Sequence, residues 1–558
     1  MIKLIALTIT IMFITVIVST VAAQIPYNTS PDWQSTENDD YGTGCGFDDI
    51  DADGFLDLAV SNGNDIIPAH NFVYINQQGT LPDSATWISD DNLYSGHCEL
   101  GDINSDGYPD FIVSNYIGEG WGPGSIQIYM NIGGELETMP SWEVDSIYSF
   151  RASFGDADGD GDLDLAVATG ESYNNILRRN LIFYNVDGYL DTDPGWMSTD
   201  YDAAYDIQFV DIDNDNDLDL AILPSGDPVK IYFNHGDSIS TSPDWQASTV
   251  ENGNSFDFAD LNGDGYLDLG VANNNQLYQW GKFKIYFNDN GTLNSEADWE
   301  SSTHGYGSEA VFSDVDNDSD FDLVAGRWWG GVYIYLNQNG DFSPDPAWRT
   351  HYSYQSVVEN ITFADVDNSA QEVVIETFPG DGQRQLFYLA DKHIQGIDEV
   401  YVDGSLLALS DFCYHLKNGW ISVADAPNDS FMVYYRNSTE KDMAVSNWDD
   451  ATYLFYNHPD LGVDPINGEL PAQTALLTNY PNPFNAETTI KYYLPERSHV
   501  KLSVYNLLGQ EVAILFEGMD ESGQRLIHWD ASGYSSGVYY SRLSTDEGIV
   551  TGKMILLK

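Results

Sequence analysis

The sequence predicts an all-β chain in two parts: a β-propeller of seven blades, with eight as the alternative count, then a small immunoglobulin-like β-sandwich. Three observations carry this expectation. An acidic loop recurs seven times, at steps of 49 to 55 residues. Each loop is followed by a short apolar strand and then, in most units, by a second strand such as IQIYMN, KIYFN or YIYLN. A Trp then closes the first six units (Trp87, Trp142, Trp196, Trp245, Trp299, Trp348), and Trp33 stands before the first loop in the same setting. Short strands repeating about every 50 residues are the mark of blades that bury their faces only by stacking around an axis.

The loop itself is clearest at FGDADGDGDLDLAVATG, residues 154–170, where Asp156, Asp158, Asp160 and Asp164 occupy positions 1, 3, 5 and 9. Carboxylates packed this closely repel unless a hard cation neutralises them, and calcium takes about six to eight oxygens from such a loop. Gly161, like Gly54 in the first copy, permits the sharp turn. Position 12 is Val167, inside a strand-like run, so the bidentate Glu and the flanking helices of an EF-hand are missing. A single copy would also read as a solvated acidic turn; seven phased copies read as calcium sites.

The expected ligands are Asp49, Asp51, Asp53 and Asp57; Asp102, Asn104, Asp106 and Asp110; Asp156, Asp158, Asp160 and Asp164; Asp211, Asp213, Asp215 and Asp219; Asp260, Asn262, Asp264 and Asp268; Asp314, Asp316, Asp318 and Asp322; and, in the worn seventh loop, Asp365 and Asp367. About six calcium ions are expected, with a seventh weak or absent because Ser369 replaces the position-5 Asp.

Composition sets limits. Lys plus Arg number 21 against 88 Asp plus Glu, a formal charge of -67. Nucleic acid and anionic membrane surfaces are thereby disfavoured as partners. Aromatic residues at 13% and the phasing of the acids argue against disorder. Bound calcium would offset part of the charge, and folding should depend on it. Three Cys make no disulfide framework; Cys45 and Cys98 sit at equivalent places four residues before their loops, and free buried thiols are the preferred reading over a bridge.

In chain order, residues 1–23 read as a signal peptide: Lys3, an apolar run over 4–18, and Val21-Ala22-Ala23 before Gln24. No later segment is long and apolar enough to span a bilayer. Residues 24–458 form the repeat region, with an irregular stretch at 396–436 that lacks an acidic loop. DMAVSNWDDATYLFYNH, residues 442–458, then returns to the repeat pattern. Either the stretch before it elaborates a seven-bladed ring, or 431–457 supplies an eighth, metal-free blade. Trp33 is expected to add the outer strand of the last blade and shut the ring, leaving no open sheet edge. Residues 459–474, with Pro459, Pro465 and Pro471, read as a linker. Residues 475–558 alternate as about five strands separated by turns, a small sandwich.

The phased loops resemble the FG-GAP/VCBS calcium-binding repeats of integrin-alpha-like propellers, although the literal FG-GAP string survives only in fragments such as Phe154-Gly155. That resemblance implies calcium loops between the first two strands of each blade. The C-terminus resembles the type A sorting domain of the type IX secretion system. The resemblance rests on NYPNPFN at 479–485, VYNLLGQEV at 504–512, SGVYY at 536–540 and the ending KMILLK. It implies passage through the periplasm to the cell surface or beyond, with the secretion machinery as a partner.

No Ser-His-Asp set or GxSxG elbow can be picked out, and no acid pair separates from the metal ligands. The ligand candidates lie on the face opposite the loops. Tyr41, Tyr94, Tyr148 and Tyr306 stand eight residues before their loops; His97, Arg151, Asp206 and Glu309 stand five before theirs. Arg151 is a rare cation placed to pair with Asp206 or Glu309, or to anchor a ligand carboxylate. The expected function is a secreted or surface-displayed, non-enzymatic adhesion or glycan/protein-binding module, acting as a monomer. The alternatives are a polysaccharide lyase or glycoside hydrolase on a calcium-stabilised propeller, and a purely structural envelope protein.

Overall fold

The computed structural model describes residues 25–458, apart from 38–40, 65–66, 119–121, 237, 274–280, 352–355 and 449–450. It also describes residues 475–556, apart from 481–486, 495–497, 507–509, 521–522 and 546–547. The expected signal and linker lie outside these residues. The chain divides into two compact units, Met1–Pro465 and Ile466–Lys558.

The first unit is a series of four-stranded antiparallel sheets of one kind. Sheet 1 runs Gly42–Asp48, Asp57–Asn62, Phe72–Tyr74 and Trp87–Ile88. Five further sheets follow in the same order, with inner strands Tyr94–Gly101, Ser149–Gly155, Ala204–Val210, Glu251–Ala259 and Tyr306–Ser313. Sheets 4 and 5 join where Ser225 and Asp227 pair with Asn252 and Glu251. Sheet 7 is assembled from distant pieces. Its inner strand Val358–Ala364 pairs with Asp442–Asn447, that strand with Tyr453–Phe455, and that in turn with Trp33–Gln34.

The returned repeat pattern at 442–458 therefore completes the sheet begun at Val358. Inner strands lie side by side in chain order, and Val358–Ala364 packs against Gly42–Asp48. The architecture is all-β, repeat-built and propeller-like. Small residues allow the close approach of neighbours: a Cβ on Gly155 would fall 2.4 Å from the Phe209 ring of the next inner strand.

Two sets of side chains stitch neighbouring sheets. In sheets 1 to 6 the Asn just after the third strand donates to its own sheet's loop and to the loop of the sheet before. Asn234 Nδ2, for example, bonds Leu218 O at 3.2 Å and Ala157 O at 2.9 Å. Asn76 reaches Val366 O of sheet 7 at 2.8 Å. The repeated Trp indoles donate forward to the following unit, from Trp87 to Leu136 O through Trp299 to Phe342 O, and Trp348 to Tyr27 O.

The inner hairpin loop spans eight residues in sheets 1 to 6, as in 49–56, but 365–441 in sheet 7. The stretch between holds an inserted cap, wider than the 396–436 expected from sequence. Its strands form one sheet from Gln371–Pro379, Ser430–Ser438, Gly396–Val402 and Ser405–Leu406, and another from Leu386–Tyr388, Trp420–Val423 and Phe412–His415. Phe387, Val400, Ile421, Phe431 and Val433 make its own core.

The second unit holds a three-stranded and a four-stranded antiparallel sheet around Ile490, Tyr492, Leu502, Trp529 and Leu543. Among the described residues seven strands occur where about five were expected; the additions are Ala475–Tyr480 and Glu511–Asp520. Among the described residues no helix is long and apolar enough to cross a membrane.

Candidate metal centres and the axial network

Each acidic loop is folded by its own carboxylates. In the third loop Asp156 accepts from Gly159, Asp160 and Gly161 N–H at 2.8, 3.0 and 3.0 Å. Positions 4 and 6 take left-handed backbone, for example Gly159 and Gly161 at φ 74° and 92°, or Asn214 and Asn216 at 61° and 75°. This explains the Gly, Asn and Ser found there, because those residues enter that region most readily.

The position-9 Asp opens the second strand and is buried, with each oxygen taking a backbone N–H. Asp57 accepts from Ile50 at 2.9 Å and Asn76 at 2.7 Å. Asp110, Asp164, Asp219, Asp268 and Asp322 repeat the arrangement.

Ligand atoms of Asp49, Asp51 and Asp53, of Asp156, Asp158 and Asp164, of Asp211, Asp213 and Asp215, and of Asp314, Asp316 and Asp322 come within 4.8 Å of one another. Three carboxylates this close cost roughly 1 kcal/mol per pair in water and ~4 kcal/mol at an effective dielectric of 20. Burial adds to this, pushing Asp57 and Asp110 up to about 8 and Asp219 up to about 9. Both oxygens of Asp316 and Oδ1 of Asp49 and Asp213 are buried without a hydrogen-bond partner. Donor chemistry, spacing and orphaned oxygens fit a hard divalent cation such as calcium. Loops 2 and 5 offer the amide oxygens of Asn104 and Asn262 in place of one carboxylate.

The seventh loop is not truncated. Asp365 and Asp367 are joined by Asp442, from beyond the cap, in a fifth cluster of the same kind. Asp442 accepts from Val366 N and Asn457 N at 2.8 and 2.7 Å, and pairs with Ala364 just as Asp164 pairs with Gly155. Asp442 is therefore the missing position-9 residue. The sequence signal was present: the D of DMAVSN answers the D of DLAVSN at Asp57, with the cap inserted between positions 5 and 9.

The residues five before loops 2 to 7 meet in one buried network. Arg151 Nη1 donates to Asp206 at 2.6 Å and to Ser255 at 3.3 Å; Nη2 donates to Glu309 at 2.9 Å and His97 Nδ1 at 2.7 Å. Asn360 Nδ2 donates to the other oxygen of Glu309 at 3.1 Å. All are buried. Burial, then the Arg151 charge, holds His97 well below its ordinary pKa, so it accepts as a neutral ring. Burial alone would lower the Arg151 pKa, but Asp206 and Glu309 raise it, and the guanidinium stays charged. These residues form an internally satisfied plug rather than an open surface.

Of the tyrosines, Tyr94 and Tyr148 share a cluster with Tyr116, Ile117 and Phe150. Tyr306 is half-buried with its ring 5.3 Å from Trp329, and Tyr41 is half-buried and donates its N–H to Asn62. Tyr116, Phe150, Tyr173, Tyr205, Trp328 and Trp448, with Glu359, line a small mouth of about 20 Å³. The indole N–H groups of Trp328 and Trp448 are buried with no acceptor among the described residues. These aromatics were not among the residues expected from sequence. Tyr116, Trp328 and Trp448 all stand six residues after a position-9 Asp, a spacing that marks them. All three cysteines are free.

Residues 49–113 and 211–271 match the FG-GAP-like repeat family, and residues 478–557 match the Secretion system C-terminal sorting domain. No curated protein matches the chain. The chain is a secreted, repeat-built, all-β protein with FG-GAP-like repeats, clustered carboxylates that could hold a small cation, and a C-terminal type IX export and sorting domain.

Proposed function

We propose that the sheets close into a seven-bladed propeller, that each of the seven inner-hairpin loops binds one calcium ion, and that the mature protein is a non-enzymatic glycan-binding module displayed at the cell surface. Export runs through the periplasm under the C-terminal sorting domain, whose two sheets we assign to an immunoglobulin-like sandwich. Closure is supported by the Trp33 strand on sheet 7 and by the Asn76 bond to Val366. The acids on the axis are held by cations, which favours binding over general acid–base work.

One observation carries the glycan assignment: an aromatic mouth with two buried indole donors that lack acceptors. Buried Trp N–H groups normally find a partner, and sugar hydroxyls over aromatic faces would supply one. Binding to a glycan array in calcium, with Trp328→Phe and Trp448→Phe variants that keep the ring and lose the donor, tests this. Binding that weakens about tenfold in each variant is expected. Unchanged binding in both variants, or no glycan bound by the calcium-loaded protein, would count against the mouth.

A further inference from the structure

The cap and the calcium face enclose a separate cleft of about 610 Å³, over the loops of sheets 4 to 6. That volume suits a ligand of several rings rather than an ion. Three of its lining groups are not satisfied by the protein.

Arg384 is half-buried, stacked over Phe387 at 4.6 Å and Phe378 at 5.4 Å. Its Nε donates to Leu386 O, and among the described residues its terminal nitrogens make no hydrogen bond or salt bridge. The acids it senses are already used: Asp381 accepts from Gln383 and Arg384 backbone N–H, and Asp211 is the first residue of a calcium loop. Tyr388 Oη accepts from Asp211 N at 3.1 Å, leaving its own proton without an acceptor among the described residues. Asn418, buried on the same wall, has an orphaned Oδ1.

Two donors without acceptors, beside an acceptor without a donor, describe a carboxylate next to a hydroxyl. We propose that this cleft binds an acidic oligosaccharide, its uronate carboxylate on Arg384 and Tyr388 and a ring hydroxyl on Asn418. A planar guanidinium fits a carboxylate in two parallel bonds, and its backing by two Phe rings fixes its orientation. The surrounding loop acids would repel such a ligand unless calcium neutralised them, so recognition is calcium-dependent. The mouth on the opposite face offers no unpaired cation among its lining residues; the two sites are independent.

Calorimetry of the full chain in saturating calcium decides the matter, with galacturonate trimer, galactose trimer and a Glu-Gly-Glu peptide as probes. The uronate trimer should bind, the neutral trimer at least tenfold more weakly, and Arg384→Ala should weaken the uronate at least tenfold while Arg384→Lys keeps part of the affinity. Calcium-loaded unfolding curves of both variants report whether the fold is intact. No uronate binding, equal affinity for the neutral trimer, or Arg384→Ala binding like the parent would overturn the site. Peptide bound as tightly as uronate would overturn the saccharide assignment. Loss of binding in Trp328→Phe with Arg384→Ala unaffected would place the uronate in the mouth instead.

Discussion

Asp442 shows how much one side chain decides. It satisfies two backbone N–H groups, opens the second strand of sheet 7 and brings a third carboxylate to Asp365 and Asp367. Asp442→Asn would keep one acceptor, turn an amide donor toward the other N–H, and remove a charge from the cluster. Calcium stoichiometry measured by mass spectrometry of the desalted protein should fall by one. Asp367→Ala, at an exposed position, should do the same without disturbing the strand. If both variants retain the parent's calcium content, the seventh loop is not a calcium site. Arg151 teaches the opposite lesson. From sequence it could pair with Asp206 or Glu309 or anchor a ligand carboxylate; it pairs with both acids, and His97 and Ser255 take its remaining bonds.

Between neighbouring sheets, the repeated Asn does more than end a strand. Its amide ties two loops that would otherwise present buried carbonyls without donors, and an orphaned buried group costs about 1–3 kcal/mol. Asn234→Ala should therefore cost about 2–5 kcal/mol in denaturant unfolding with calcium present, since Ala157 O and Leu218 O both lose their donor. Asn294→Ala, on an exposed turn with bonds only to Asp298, should stay within about 0.5 kcal/mol. Equal effects would mean that the stitch carries no energy.

The cap is tied to the same loop face. Lys392 bonds Asp257 at 2.8 Å, His415 bonds Glu99 at 2.7 Å, and Ser422 donates to the loop ligand Asp156 at 2.6 Å. Its chain is inserted in one acidic loop, and Ser422 rests on another.

For the whole molecule, the charge of -67 and the buried loop acids make stability depend on calcium and pH together. Without metal, burial raises Asp57, Asp110, Asp219 and Asp268 to about 8, 8, 9 and 7. The folded state then holds protons that the unfolded state has released. Stability conferred by protonation is present below the unfolded carboxylate range and is lost as pH rises through these values. In EDTA the melting temperature should fall between pH 5.5 and pH 8.5. With calcium the same carboxylates are held ionised, so the trend should reverse and acid should destabilise. Thermal scans at the two pH values, with and without calcium, check both signs. A melting temperature in EDTA that does not fall as pH rises would show that these acids are not buried unpaired in the metal-free fold.

Periodicity alone determined the all-β class, the phase of the repeats, the acidic loops and the role of Trp33, because these follow from local spacing of strands, turns and carboxylates. The sorting domain was legible for the same reason, as contiguous motifs. Three things needed the tertiary structure. Asp442 closes a loop that runs from 365 to 441, so although DMAVSN repeats DLAVSN, nothing local to the chain ties it to Asp365 and Asp367. The buried network depends on which inner strands meet: spacing named Asp206 and Glu309 as alternative partners of Arg151, and the geometry shows that it takes both. The cleft at Arg384 exists only where the cap settles on the acidic loops. Spacing along a chain reports neighbours within one repeat; which repeats meet, and which charges are left unpaired when they do, is decided by packing.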